Sequence, residues 1–209
     1  MIGQKVVAVL LAIPLLVMIF PSIRYWSDFR KEKKSERKGK KTLYNKFFLF
    51  LFVAGVLGMW VAWLGGILFL LIGAFDCDFG FFPFSMSGKA VVHTIGLVVF
   101  SVGAVTYNLC IIVAGKYLRP APSGTLGDHR LIRKGPFAVI RHPLYTSYIL
   151  ILSGLGMLFQ VWWLLLPILL MVVGVYPTAK AEEASLTEQF GEKYENYRDA
   201  IGMFVPKFF

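Results

Sequence analysis

Apolar residues in this chain come in long blocks, and polar residues gather between them. The blocks run from Val6 to Ile23, Phe47 to Phe75, Lys89 to Gly115 and Leu144 to Tyr176. A helix needs roughly 20 residues to cross the hydrocarbon core of a bilayer. Each of the first three blocks therefore predicts one span, the second long enough to tilt. The fourth is too long for a single span, and Gln160 near its middle predicts a break. The pattern predicts an all-α integral membrane protein: one domain over 1–209, with about five transmembrane helices at about 6–23, 47–75, 89–115, 144–159 and 161–180, and a tail at 181–209.

Charge adds an orientation. Between residues 24 and 46 lie ten Lys or Arg against three acids, and between 116 and 142 six against one, whereas 76–88 holds Asp76 and Asp78 and no base. Loops rich in Lys and Arg stay in the cytoplasm, so five spans put the amino terminus outside and the carboxyl-terminal tail inside. Val6 to Ile23 carries no A-x-A cleavage signal and reads as a retained anchor. The net charge of +10 is then topological. Membrane lipids with anionic headgroups are the expected partner for it, and nucleic acid is not. The run Lys31 to Lys41 reads as a solvated or headgroup-binding loop.

Composition narrows the chemistry. With 57% hydrophobic and 16% charged residues, the spans offer no row of intramembrane charges to carry ions, which argues against a channel or pump. Cys77 in the outer loop and Cys110 near the inner end of the third helix are too far apart for a disulfide, and no Cys/His group has metal-ligand spacing. Ala54, Gly58, Ala62 and Gly66 form a small-residue stripe, which serves either packing within the monomer or a dimer contact. His93 reads as an interfacial histidine, and Trp162-Trp163 as a membrane-boundary anchor.

The chemistry-bearing residues lie on the predicted cytoplasmic side. In "RHPLY" (141–145), Pro143 marks a helix start, because the amide it lacks has no intrahelical partner there. Arg141 and His142 beside it read equally as a surface anchor or as part of a site. Glu182 and Glu183 sit near the membrane end of the tail helix, where paired carboxylates are costly unless water, a cation or a ligand meets them. A salt bridge to Arg141 or Arg133 and a ligand role are both open.

Three stretches together, "GPFAVIRHPLY" (135–145), "EEASLTEQFGEKYENY" (182–197) and "VPKF" (205–208), resemble the isoprenylcysteine carboxyl methyltransferase family. That family sits in a wider group of membrane methyltransferases that includes the phospholipid N-methyltransferases. The resemblance covers about residues 115–209. It implies transfer of a methyl group from S-adenosylmethionine, with S-adenosylhomocysteine as product, in a cytoplasmic pocket formed by the 116–145 loop and the C-terminal helix. It also implies cofactor contacts from His129, Arg130, Leu131, Ile132, Phe137, His142, Pro143, Leu144, Tyr145 and Glu182, with Arg141 and Glu183 as catalytic residues and no metal. Glu182 would meet the cofactor ammonium. His142 or an amide freed at the helix start would meet its carboxylate.

Two positions depart from the family pattern. Phe137 stands where a Tyr is often found, which keeps stacking and loses a hydroxyl. Thr178 stands where the prenylcysteine enzymes carry an Arg that holds the substrate carboxylate. Arg141 is left with two readings, as partner of a Glu or as replacement for that Arg. The expected acceptor is a lipophilic or small membrane-accessible thiol, amine or acid. The alternatives are a phospholipid or thiol methyltransferase of the same group, a non-catalytic lipid-binding membrane protein, and a reductase with a related cofactor end. Neither the oligomeric state nor the host membrane follows from the sequence.

Overall fold

The computed structural model describes residues 12, 46–72, 86–114, 131–159 and 164–207. They contain five helices: α1 (Lys46–Ile72), α2 (Met86–Ala114), α3 (Pro143–Phe159), α4 (Leu165–Phe190) and α5 (Glu192–Ala200), with a 3-10 turn at Gly135–Ala138. No strand occurs among the described residues. Apart from Ala12, the first predicted span lies outside them, as do the Lys31 to Lys41 run, Cys77, Gln160 and Trp162-Trp163.

Helices α1, α2 and α4 are long and apolar enough to cross a membrane, and α3 is a shorter apolar helix. Large hydrophobic side chains cover their outer faces as well as their inner ones. Leu57, Val61 and Leu64 on α1, Val98, Val102 and Val105 on α2, and Leu165, Leu166 and Leu169 on α4 are all exposed. Helices that are apolar all round suit a lipid surround and not water. The chain is an all-α membrane protein.

Within the spans, polar side chains bond to their own helix. Ser101 donates to Leu97 O at 2.7 Å, Asn108 to Ala104 O at 2.8 Å and Thr178 to Gly174 O at 2.7 Å. Such back-bonding satisfies these three side chains where water is absent.

Glycines set the packing. α1 and α4 run antiparallel: Gly58 faces Pro167, Gly55 faces Met171, and Gly174 lies against Phe52, where an added Cβ would stand 2.5 Å from the backbone nitrogen. α2 and α3 are likewise antiparallel, with Gly96 against Met157, Gly154 against Phe100 and Gly103 against Ile151. Small residues let helix backbones approach closely. The predicted stripe on α1 is thus used inside the monomer: Gly58 packs on Pro167, Gly66 on Phe159, and Ala62 is buried. Edge-to-face contacts join the pairs, Trp63 with Phe100 at 5.1 Å and Phe52 with Tyr145 at 5.0 Å.

One difference from the sequence pattern positions the site. The tail expected from 181 begins as a direct continuation of α4, which runs through Pro177 and the Glu pair to Phe190. Its residues there, "AKAEEASLTEQF", are mostly strong helix formers, and nothing in propensity marks the point where lipid gives way to water. Gly191 ends the rod with a left-handed φ of 54°, its amide donating to Thr187 O at 2.8 Å, and α5 turns back from there.

Candidate functional site

The start of α3 and the far end of α4 meet at one end of the bundle. Pro143 is the first residue of α3, and the bond from Thr146 N to His142 O, at 3.2 Å, opens the helical ladder. Arg141 and His142 just precede this start. On α4, Glu182 and Glu183 are adjacent, so they point about 100° apart around the helix. One carboxylate turns into the protein and the other toward its edge.

Glu183 is the inner one, 4% exposed. Its Oε1 accepts from Arg141 Nε at 2.7 Å and lies 3.4 Å from His142 Nε2, while Lys180 Nζ stands 3.7 Å from Oε2. Glu182 keeps about a third of its side chain exposed. Its Oε2 accepts from the Tyr145 hydroxyl at 2.8 Å and lies 3.6 Å from His142 Nδ1. The His142 imidazole therefore sits between two carboxylates, and it stacks on the Tyr145 ring at 5.5 Å with an interplanar angle of 11°. Five predicted site residues, Arg141, His142, Tyr145, Glu182 and Glu183, thus form one connected cluster.

The segment after α5 closes this cluster from outside. Arg141 N donates to Gly202 O at 2.8 Å and His142 N to Met203 O at 3.0 Å, and Ile140 pairs with Gly202 in an isolated parallel bridge. Thr146 Oγ1 reaches Phe204 O at 3.3 Å, and the Phe204 ring lies 5.8 Å from His142. The Arg141 guanidinium also donates through Nη1 to Arg198 O, at 2.7 Å, and to Ile201 O. The amides of Arg141 and His142, just ahead of the helix start, are therefore taken by the chain's own tail. Of its two readings, Arg141 follows the first, partner of a Glu.

The other predicted residues are more dispersed. Pro143 is buried at the helix start, and Leu144 packs against the hydrophobic core. Phe137 is half-buried in the 3-10 turn, and its carbonyl accepts from the Tyr197 hydroxyl at 2.6 Å. Leu131 and Ile132 are half-buried upstream of that turn. His129 and Arg130 lie outside the described residues. Thr178 is buried with its hydroxyl tied to Gly174 O, so no cation stands one turn before the Glu pair.

Residues 91–193, just under half of the chain, match the phospholipid methyltransferase family model. The match supports the wider group of membrane methyltransferases, which includes the phospholipid N-methyltransferases. No curated protein matches it significantly. The match takes in α2, α3 and α4, and so both sides of the His142–Glu pair cluster. The structure adds two features that sequence reasoning missed. One is the strap at Ile201 to Phe204. The other is Tyr194, buried on α5 beside Tyr197, with ring centroids 6.0 Å apart. Their i, i+3 spacing, which puts both rings on one helix face, was the available signal for Tyr194. For the strap it was Gly202 among apolar residues just past a helix end.

Proposed function

We propose that this chain transfers a methyl group from S-adenosylmethionine to a lipophilic acceptor that reaches the bundle end from the bilayer. The observation that carries this is the pairing of unlike carboxylates in a methyltransferase domain. Glu183 is neutralised within the protein by Arg141, and Glu182 remains partly exposed beside His142 and Tyr145. The donor set suits the cofactor. An exposed carboxylate backed by a phenol and an imidazole meets an ammonium or sulfonium, and Phe137 and the half-buried Leu131 and Ile132 offer apolar surface for an adenine. When bound, S-adenosylmethionine supplies an electrophilic methyl on its sulfonium.

The residues act in this reading by holding and excluding, not by bond-making. Tyr145 and His142 fix the Glu182 carboxylate. Arg141 and Glu183 fix His142 and the strap, and are positioning residues. The strap shields the cluster from bulk water, which strengthens its electrostatics.

Position 178 bears on the acceptor. A carboxylate-bearing acceptor such as a prenylcysteine calls for a cation one turn before the Glu pair, and Thr178 is neutral and already bonded. An amine headgroup, as the matched phospholipid family suggests, calls for none. Labelled methyl transfer from S-adenosylmethionine should be measured with phosphatidylethanolamine, a prenylcysteine and a simple thiol in parallel. Transfer to at least one lipophilic acceptor is expected, with the amine preferred over the prenylcysteine acid. Preference for the acid would overturn the argument from Thr178, and no transfer to any acceptor by folded protein would overturn the activity.

A further inference from the structure

Tyr194 carries a polar group that the cluster described above leaves unused. The residue is 1% exposed, and its hydroxyl has no hydrogen-bond partner among the described residues. The Tyr197 hydroxyl, one turn on, is satisfied by Phe137 O. The Tyr194 ring is held in place: its backbone amide donates to Gly191 O at 2.9 Å, and it packs against Tyr197, over whose ring the Arg133 guanidinium lies at 5.7 Å. The phenol is within electrostatic reach of Glu183, Arg141 and Glu182. Burial, and after it the Glu183 charge, push its pKa up, so it is a neutral donor at any physiological pH.

Buried donors in native proteins are nearly always paired, and an orphan beside a candidate ligand site points to a group that the ligand brings. The chemistry of the surroundings restricts that group. An ammonium only donates, so it can meet the phenol oxygen but leaves the phenol's O–H without an acceptor. A carboxylate accepts, but here it would approach two glutamates of like charge. An adenine ring nitrogen accepts and gives the neighbouring carboxylates nothing in return. A ribose hydroxyl accepts from the phenol and donates to a carboxylate at once.

We propose that Tyr194 is a binding residue for the ribose of an adenosine-bearing ligand, its hydroxyl donating to a ribose oxygen whose own proton goes to the Glu182–Glu183 end of the site. This rests on the cofactor reading above and adds to it a residue beyond the family match, which ends at 193.

The test compares the full chain with Tyr194→Phe in detergent, by thermal unfolding without ligand and by titration with S-adenosylhomocysteine and its 2′-deoxy and 3′-deoxy analogues. Without ligand the variant should unfold at the same temperature as the parent or higher, because no bond within the protein is lost. Its affinity for S-adenosylhomocysteine should fall on the order of tenfold. The parent should bind one deoxy analogue correspondingly more weakly, and the variant should no longer distinguish that analogue, as a double-mutant cycle requires of a direct contact. A lower unfolding temperature without ligand, or unchanged affinity in the variant, would overturn the assignment of Tyr194 and leave the cofactor reading standing. Equal affinity of the parent for all three ligands would do the same without any variant. Absence of S-adenosylhomocysteine binding by the folded parent would overturn both.

Discussion

Arg141 and Glu183 are 42 positions apart in sequence, and their side chains meet at 2.7 Å between the start of α3 and the end of α4. Both are nearly buried, with side chains 10% and 5% exposed. The same guanidinium binds the carbonyls of Arg198 and Ile201, so one residue ties the start of α3 and the end of α4 to the tail. Removing one partner of a buried ion pair typically costs about 3–5 kcal/mol, because the other charge is left uncompensated. Arg141→Ala should therefore lower thermal stability strongly and release the tail to limited proteolysis. Arg141→Lys should recover only part of this, because a lysine cannot bond the carboxylate and two carbonyls in a planar fork. A fully stable Arg141→Ala protein with a protected tail would remove the clamp.

The adjacent glutamates should separate cleanly. Glu183→Gln removes the charge that balances Arg141 in a buried position and should destabilise the fold. Glu182→Gln changes a partly exposed carboxylate held by the Tyr145 hydroxyl, and should leave the unfolding temperature nearly unchanged while weakening S-adenosylhomocysteine binding. Circular-dichroism melts and binding titrations on both variants check the split. Equal loss of stability in the two would mean that Glu182 is also structural.

Helix packing makes a paired prediction on α1 and α4. A Cβ at Gly174 would stand 2.5 Å from Phe52 N and 2.7 Å from Phe48 O, backbone atoms that cannot step aside. Gly174→Ala should cost about 1–3 kcal/mol or more by overpacking. At Gly65 an added Cβ meets nothing within 4 Å. Gly65→Ala should be neutral or stabilising by about 0.5–1 kcal/mol, the usual helix preference for Ala over Gly. Detergent unfolding midpoints of the two variants should move in opposite directions or differ clearly in size.

The strap depends on a tight turn at Gly202, where a Cβ would fall 1.9 Å from Val205 O. Gly202→Ala should disturb the bonds from Arg141 N and His142 N while leaving the spans intact. Hydrogen exchange should show faster exchange of those two amides, with α2 and α3 unchanged. Retained protection at both amides would show that the strap tolerates the side chain.

Much of this was legible in the sequence, for physical reasons that also set the limit. Pro143 announced a helix start because it stands where a polar loop gives way to an apolar run and the amide it lacks has no partner in a first turn, and the Glu pair drew attention because charge near a membrane is costly. The partner of Arg141 was legible only as a choice between acids and a ligand, since which one it meets depends on the register of α3 against α4. Beyond Gly202, the strap left no side-chain signature, because its bonds to Arg141 and His142 come from carbonyls that every residue owns. Tyr194 and Tyr197 are the same residue type one turn apart, and only the placement of Phe137 O shows which hydroxyl is satisfied. The continuation of α4 past residue 180 was hidden because hydropathy changes there and helix propensity does not.

Titration of the purified chain with S-adenosylhomocysteine in detergent, beside Glu182→Gln, tests the central claim most directly. Saturable binding by the parent, and binding at least tenfold weaker by a variant that unfolds at the parent's temperature, is the predicted result. Failure of the folded parent to bind at millimolar ligand, or equal binding by both proteins, would contradict it.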